Sequence, residues 1–179
     1  NSTTSTLTEP YLSDKYVMIK EDYNTLINAS IIPTVELVEK IKSLKPNQSL
    51  ISGEILIAYQ VSGDEISELE IVADDFDEEN DSVVGEEIVH FDLPIIKLSN
   101  TWDIFVFNDE QIKADYKLLT KGRKSQPLSK TNTLIGDTSQ LFIEPGAVIE
   151  GAILNVTNGP IYIGQDAEVM EGSLIRGSF

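Results

Sequence analysis

Three places in this chain carry side chains able to meet a ligand. Asn28 and Ser30 lie in Asn28-Ala-Ser-Ile-Ile-Pro33, at the end of an apolar run and just before a helix signal. Ligands of open α/β sheets bind beyond the carboxyl ends of the strands. The two side chains stand where a ligand's polar group would arrive. Alternatively, they serve only a strand-to-helix turn, with Ser30 satisfying the backbone. Lys121-Gly-Arg-Lys-Ser125 is a basic cluster. An arginine fork binds phosphate bidentately, and glycine lets the backbone come close. So Lys121, Arg123 and Lys124 are candidate phosphate ligands, though cations also suit a helix C-terminus.

Other polar residues are less promising. Thirteen Asp and Glu fall between Asp64 and Asp92, with no Lys or Arg among them. They lack the glycine and terminal glutamate spacing of a calcium loop. The stretch from Asp74 to Gly85 is expected to be a solvated loop. His90 sits between Val89 and Phe91 with no nucleophile partner in view, which argues against a catalytic triad. Trp102 is expected to pack at a domain joint, and Asp103 to cap a helix.

The elements that must position these residues follow from the pattern. Tyr11–Tyr16 reads as a short helical turn. Thr25–Ile32 reads as a buried strand, rich in β-branched residues and ended by Pro33. Thr34 then caps a helix with Leu37, Val38, Ile41 and Leu44 at helical spacing, stopped by Lys45-Pro46-Asn47. Strands are expected at Glu54–Tyr59, Glu68–Ala73 and Glu87–Phe91. Asn100 and Asp103 form a capping box for a helix reaching about Leu119, with Phe105, Ile112, Tyr116 and Leu119 on one face. Gly122 suits its C-terminal cap.

The last forty-odd residues have another rhythm. Ile143-Glu-Pro-Gly-Ala-Val and Ile149-Glu-Gly-Ala-Ile-Leu are followed, after a two-residue slip, by units opening at Ile163, Val169 and Ile175. A period of six fits stacked short strands, with the opening aliphatic inward and a small residue at the bend. A solenoid needs capped ends, and the pattern stops at Phe179. The chain also opens without methionine. It is expected to be a piece of a longer protein. The fold expected is a partial α/β domain over residues 1–119, a linker over 120–134, and a parallel β-helix over 135–179.

Composition sets outer bounds. The chain has 179 residues, a net charge of −17, one histidine and no cysteine. Thiolate and histidine metal sites are disfavoured, as is nucleic acid as a partner. There is no run of eighteen apolar residues, so no membrane partner is expected.

The order of motifs brings a family into view. The strand, proline and helix come first, then Asn100-Thr-Trp-Asp-Ile-Phe, Lys121-Gly-Arg-Lys-Ser-Gln-Pro, Thr131-Asn-Thr-Leu-Ile-Gly and the hexads. From about Leu7 to Phe179 the chain resembles Bacteroidetes-type sugar nucleotidyltransferases. These are similar to the bifunctional UDP-N-acetylglucosamine pyrophosphorylase/glucosamine-1-phosphate N-acetyltransferase. The resemblance implies an α/β nucleotidyltransferase-like domain followed by a left-handed parallel β-helix, usually a homotrimer through that β-helix. It implies NTP and sugar 1-phosphate as substrates, Mg²⁺ as cofactor, and acetyl-CoA where the second half is active. A cytoplasmic location goes with it.

The family's nucleotide-binding loop would precede Asn1, and its acyl-transfer residues would follow Phe179. Where relatives carry a Gly-Asp that holds Mg²⁺, this chain reads Ala29-Ser30. That leaves Asn28 as a substitute, and Asn132 stands near where relatives place a metal-ligating asparagine. A non-catalytic scaffold or regulatory homologue, or an acetyltransferase-only protein, stays open beside the transferase.

Overall fold

The computed structural model describes residues 4–6, 8, 10–64, 66 and 87–179. The chain divides into two compact units, Asn1–Ser99 and Asn100–Phe179. The strand expected at Glu68–Ala73 and the acidic loop expected at Asp74–Gly85 fall outside the described residues.

The first unit is mixed α/β. A 3-10 turn at Pro10–Leu12 precedes β1 (Tyr23–Ile27), β2 (Ile31–Ile32), α1 (Val35–Lys42), β3 (Gln48–Ser52), β4 (Ile55–Ser62), β5 (Glu87–His90) and β6 (Ile96–Lys97). The main sheet runs β1-β4-β3-β5, while β2 and β6 pair separately. β1 and β3 are antiparallel to β4, and β5 is parallel to β3. Leu37 and Leu44, from α1 and just beyond it, pack with Ile31, Leu50, Ile57, Ala58 and Phe91 in the core.

Local chemistry explains the elements. Thr34 Oγ1 accepts from Leu37 N at 3.2 Å, as its capping role requires. The continuous buried strand expected over Thr25–Ile32 is instead two strands. Asn28 breaks it by accepting from both the amide and the hydroxyl of Ser30, at 3.0 and 2.7 Å. Such a side chain offers the backbone a turn in place of the ladder. β1 is also half exposed rather than buried. β3, not expected from the sequence, closes a hairpin with β4 at Gly53-Glu54, where Gly53 takes φ +58°.

The second unit opens with α2 (Asp103–Thr120). Seven short strands follow: β7 (Thr133–Ile135), β8 (Leu141–Ile143), β9 (Val148–Ile149), β10 (Ile153–Asn155), β11 (Ile161–Ile163), β12 (Glu168–Val169) and β13 (Leu174–Arg176). They pair in parallel as β7-β10-β13, β8-β11 and β9-β12. Thr133 faces Ile153, Ile153 faces Leu174, and Leu141 faces Ile161. Partners lie 20 or 21 positions apart (153 − 133 and 174 − 153), so the chain returns over itself once per coil. Ile143, Ile149 and Ile163 are buried inside, with Ala147, Leu154 and Ile161, and Val169 and Ile175 pack against them. The inward set expected from the hexads is the one observed.

Two expectations for α2 are corrected. No side chain caps its start; the residue before it is Trp102. Only the reciprocal half of the box forms, as Asn100 N donates to Asp103 Oδ2 at 2.8 Å. Along the apolar face, Tyr116 is buried and its hydroxyl donates to Ser139 O at 2.8 Å. Phe105, at 82 % exposure, and Leu119 are outside the packing. The helix reaches the coils through Tyr116, while Ile104, Phe105 and Val106 near its start and Leu118 and Leu119 near its end remain exposed. Trp102 is likewise 62 % exposed rather than packed.

Candidate functional site

Asn28 and Ser30 belong to the first unit, at the turn between β1 and β2. Asn28 Nδ2 donates to Leu56 O at 3.0 Å, on the neighbouring β4. Its Oδ1 accepts twice from Ser30. Both polar ends are therefore engaged in holding the turn. The geometry is that of the structural alternative, with side chains half buried and Asn28 donating to β4 carbonyls through its backbone N as well as its Nδ2. Ser30 O accepts from Leu98 N at 2.7 Å, beside the β2–β6 pair.

Lys121, Arg123 and Lys124 lie in the second unit, at the turn leaving α2. Gly122 takes φ +72°, the left-handed conformation that closes a helix. All three basic residues are exposed. Arg123 is nonetheless committed. Its Nη2 donates to Glu144 Oε1 at 2.6 Å, and its Nη1 donates to Leu119 O at 3.1 Å and to Tyr162 OH at 3.0 Å. Its guanidinium carbon lies 5.0 Å from the Phe142 ring centre, a cation–π distance. Phe142 in turn stacks on Tyr162, its ladder partner, at 5.4 Å and 10°.

Glu144 is the hub of this cluster. It accepts from Arg123 and, through the same oxygen, from the Tyr162 hydroxyl. Its other oxygen accepts from Gln165 N at 3.0 Å. The Tyr162 hydroxyl first, and the Arg123 guanidinium second, hold its carboxyl below the usual carboxylate range. Glu144 and Tyr162 were not among the residues expected to matter. Arg123 and Glu144 are 21 positions apart, one coil of the stack. Only the coil length, counted back through the turn, could have paired them.

Lys121 and Lys124 project from the same turn beside this neutralised pair. Among the described residues neither lysine has an ion-pair partner, so an anionic group could pair with them without displacing a carboxylate. The turn thus offers two lysines and a pre-ordered backbone, with Arg123 fixing the turn to the coils.

Asn132 also serves the coils. Its Nδ2 donates to Ile149 O at 2.6 Å and to Ser129 O at 3.2 Å, and its Oδ1 accepts from Ala152 N at 2.8 Å. Nearby, an open cleft of about 290 Å³ lies between residues 126–130 and the stretch 143–150, which runs from the end of β8 through β9. Its walls are mostly apolar, through Pro127, Leu128 and Val148. At its polar end Glu150 accepts from Ser129 Oγ at 2.9 Å and from the Thr131 hydroxyl.

Mg²⁺ is the cofactor the resemblance implies, and these residues do not fit it. Asn28 and Ser30 supply no carboxylate, and the amide oxygens of Asn28 and Asn132 already accept backbone or hydroxyl donors. Mg²⁺ binds through carboxylates and water in a near-ideal octahedron. Among the described residues no three His, Asp or Glu gather as a metal site would require.

A mixed α/β unit and a basic turn closing a long helix are the parts that comparison recognises. Residues 1–124 match the sugar nucleotidyl transferase family, and the chain belongs to that family. The match spans the first unit, α2 and the basic turn, and it ends one residue before Ser125, whose hydroxyl accepts from Ile143 N in β8. No curated protein matches the chain. Among the described residues no helix is long and apolar enough to cross a membrane.

Proposed function

We propose that the chain is part of a sugar-1-phosphate nucleotidyltransferase that makes a nucleoside diphosphate sugar and pyrophosphate from an NTP and a sugar 1-phosphate. The observation that carries this reading is the family match over residues 1–124, which includes Lys121 and Lys124. A phosphate oxygen of the sugar 1-phosphate attacks the α-phosphorus of the NTP, and pyrophosphate leaves. The chain's contribution is on the sugar-phosphate side, where Lys121 and Lys124 would offset phosphate charge. Mg²⁺ would neutralise the triphosphate, and its ligands are not among the residues considered above.

The coils are read as the opening turns of a left-handed, acyltransferase-like β-helix, through which the protein trimerises. Parallel ladders with a return every 20 or 21 residues support it. The division into a nucleotidyltransferase part over 1–119, a link over 120–134 and a β-helix from 135 belongs to the same proposal, as do acetyl-CoA as a second substrate and a cytoplasmic location.

A second reading is a scaffold that keeps the fold without the reaction. One observation favours it: Ser30, at the place of a metal-binding carboxylate in relatives, is absorbed into the Asn28 turn. Pyrophosphate release separates the two. The protein that carries this chain is assayed with UTP or dTTP, a panel of hexose 1-phosphates and Mg²⁺. Turnover with one pair supports the transferase, with a higher KM for the sugar phosphate in Lys121→Ala and Lys124→Ala. Silence across every pair supports the scaffold.

A further inference from the structure

Among the described residues β1 is an end strand of the four-stranded sheet, paired only with β4. Asn28 N donates to Ile57 O, and Gly63 N donates to Asp22 O. In an antiparallel ladder, alternate residues share one edge. Asp22, Asn24, Leu26 and Asn28 therefore turn their backbone toward β4. Tyr23, Thr25 and Ile27 turn theirs away, and among the described residues nothing pairs with those groups. Their side chains are exposed too, Tyr23 at 59 % and Ile27 at 57 %.

Sheet edges are usually blunted by charge, proline or a bulge. The other edge, β5, begins with Glu87 and ends with His90. β1, Tyr-Asn-Thr-Leu-Ile, has no charge, no proline and no register shift against β4. It is also complementary to itself. Laid antiparallel about Thr25, Tyr23 faces Ile27, Asn24 faces Leu26 and Thr25 faces Thr25. Aromatic with β-branched and threonine with threonine are favourable cross-strand neighbours. The flanks agree, because Asp22 faces Asn28, Glu21 faces Ala29 and Lys20 faces Ser30. No like charges meet along the seam, although the chain as a whole is strongly acidic.

We propose that β1 pairs with β1 of a second copy of this chain, joining the two sheets edge to edge about a two-fold axis at Thr25. A two-fold contact requires one patch to match itself, and this strand does. The interface goes beyond the transferase reading and is independent of any assembly through the coils.

Sedimentation of the parent and of Thr25→Lys tests it. Thr25 is exposed, so the variant keeps the fold of the single chain, checked by circular dichroism, while setting two like charges face to face. The parent assembly should have twice the mass of the variant's. Equal masses overturn the proposal. A second variant guards against indirect effects. The chain has no cysteine, so Thr25→Cys adds a single thiol. A hydrogen-bonded antiparallel pair holds its Cα atoms about 5.5 Å apart, within the roughly 4.4–6.8 Å that a disulfide spans. Oxidation with copper–phenanthroline should give a covalent two-chain species several-fold faster than in Glu87→Cys, on the opposite edge. Equal rates overturn the proposal, as would a partner of another kind recovered on the strand.

Discussion

Arg123 Nη2 donates to Glu144 Oε1 at 2.6 Å, joining the turn after α2 to the residue that follows β8. The contact is one of several that meet at the same point. Arg123 also holds the helix through Leu119 O and the next coil through Tyr162 OH. Glu144 holds that coil through Tyr162 and Gln165 N. An isolated surface ion pair is worth little. Here both partners are fixed in place by neighbours, so their effects should not be additive.

The first prediction follows from that coupling. Arg123→Lys keeps the charge but loses the fork that reaches Tyr162 and Leu119 together. It should lower the melting temperature of the coil unit nearly as much as Arg123→Ala. Glu144→Gln should lower it too, and the double variant Arg123→Ala/Glu144→Gln should melt close to the worse single one. Thermal melts followed by circular dichroism make the comparison. Additive shifts would show that the two side chains act separately.

A pH dependence comes next. The folded state holds the Glu144 carboxyl below its ordinary range, through Tyr162 first and Arg123 second. The unfolded chain therefore binds that proton more readily than the folded one. The stabilisation is complete above the unfolded value, about 4.3 for glutamate, and is lost as pH falls through the lower folded value. Between pH 6 and 3 the parent should lose more melting temperature than Glu144→Gln, which has no such proton to take up. Parallel curves for the two proteins would show that Glu144 is not the group responsible.

The same cluster shows what the sequence does and does not make readable. Helix signals are local, so Thr34 could be assigned its cap and Gly122 its left-handed turn. The hexads announce themselves because aliphatics recur every six residues on each side of the two-residue slip, at Ile143 and Ile149 and then at Ile163, Val169 and Ile175. The start of the coils does not. Gln126-Pro-Leu-Ser-Lys has no hexad rhythm, yet Gln126 N donates to Ile143 O, and Leu128 packs against the coil core. Without that earlier start, Arg123 could not be placed above Glu144, and it read as a free phosphate ligand. Asn28 and Ser30 show a different limit. A β-branched run signals a strand, but one asparagine that satisfies its own turn divides it. The exposure of Phe105 and Leu119 on α2 could not be read at all, because spacing defines a helix face and says nothing of how far along the helix a neighbour extends.

Core substitution should separate the two sides of the coil strands. Ile163 is 2 % exposed in the inner cluster, whereas Ile153 points outward at 39 %. Ile163→Ala leaves a cavity among neighbours that cannot close it, at a cost of about 2–5 kcal/mol. Ile153→Ala removes only surface contact and should cost under about 1 kcal/mol. Urea unfolding with an unchanged slope measures both. Comparable losses would mean that the inward and outward registers are exchanged.

Two glycines with positive φ should respond differently to alanine. Gly122 has φ +72° and open space where a Cβ would stand. Gly122→Ala meets only the backbone cost of the left-handed region, roughly 1–2 kcal/mol. Gly146 has φ +87°, and a Cβ there would lie 2.1 Å from Asp166 Oδ1. The Asp166 backbone N, at 3.6 Å, would be in ordinary contact, so it is the carboxylate, with Cγ at 3.3 Å, that must move, on a residue that itself sits at φ +56°. Gly146→Ala therefore adds the displacement of the Asp166 carboxylate in the next coil to a similar backbone cost. It should be the more destabilising of the two in urea unfolding, and Asp166→Gly should recover part of the loss by removing both the obstructing carboxylate and the second strained residue. If Gly122→Ala proves the worse variant, or if Asp166→Gly restores nothing to Gly146→Ala, close stacking of successive coil corners is not what requires glycine at Gly146.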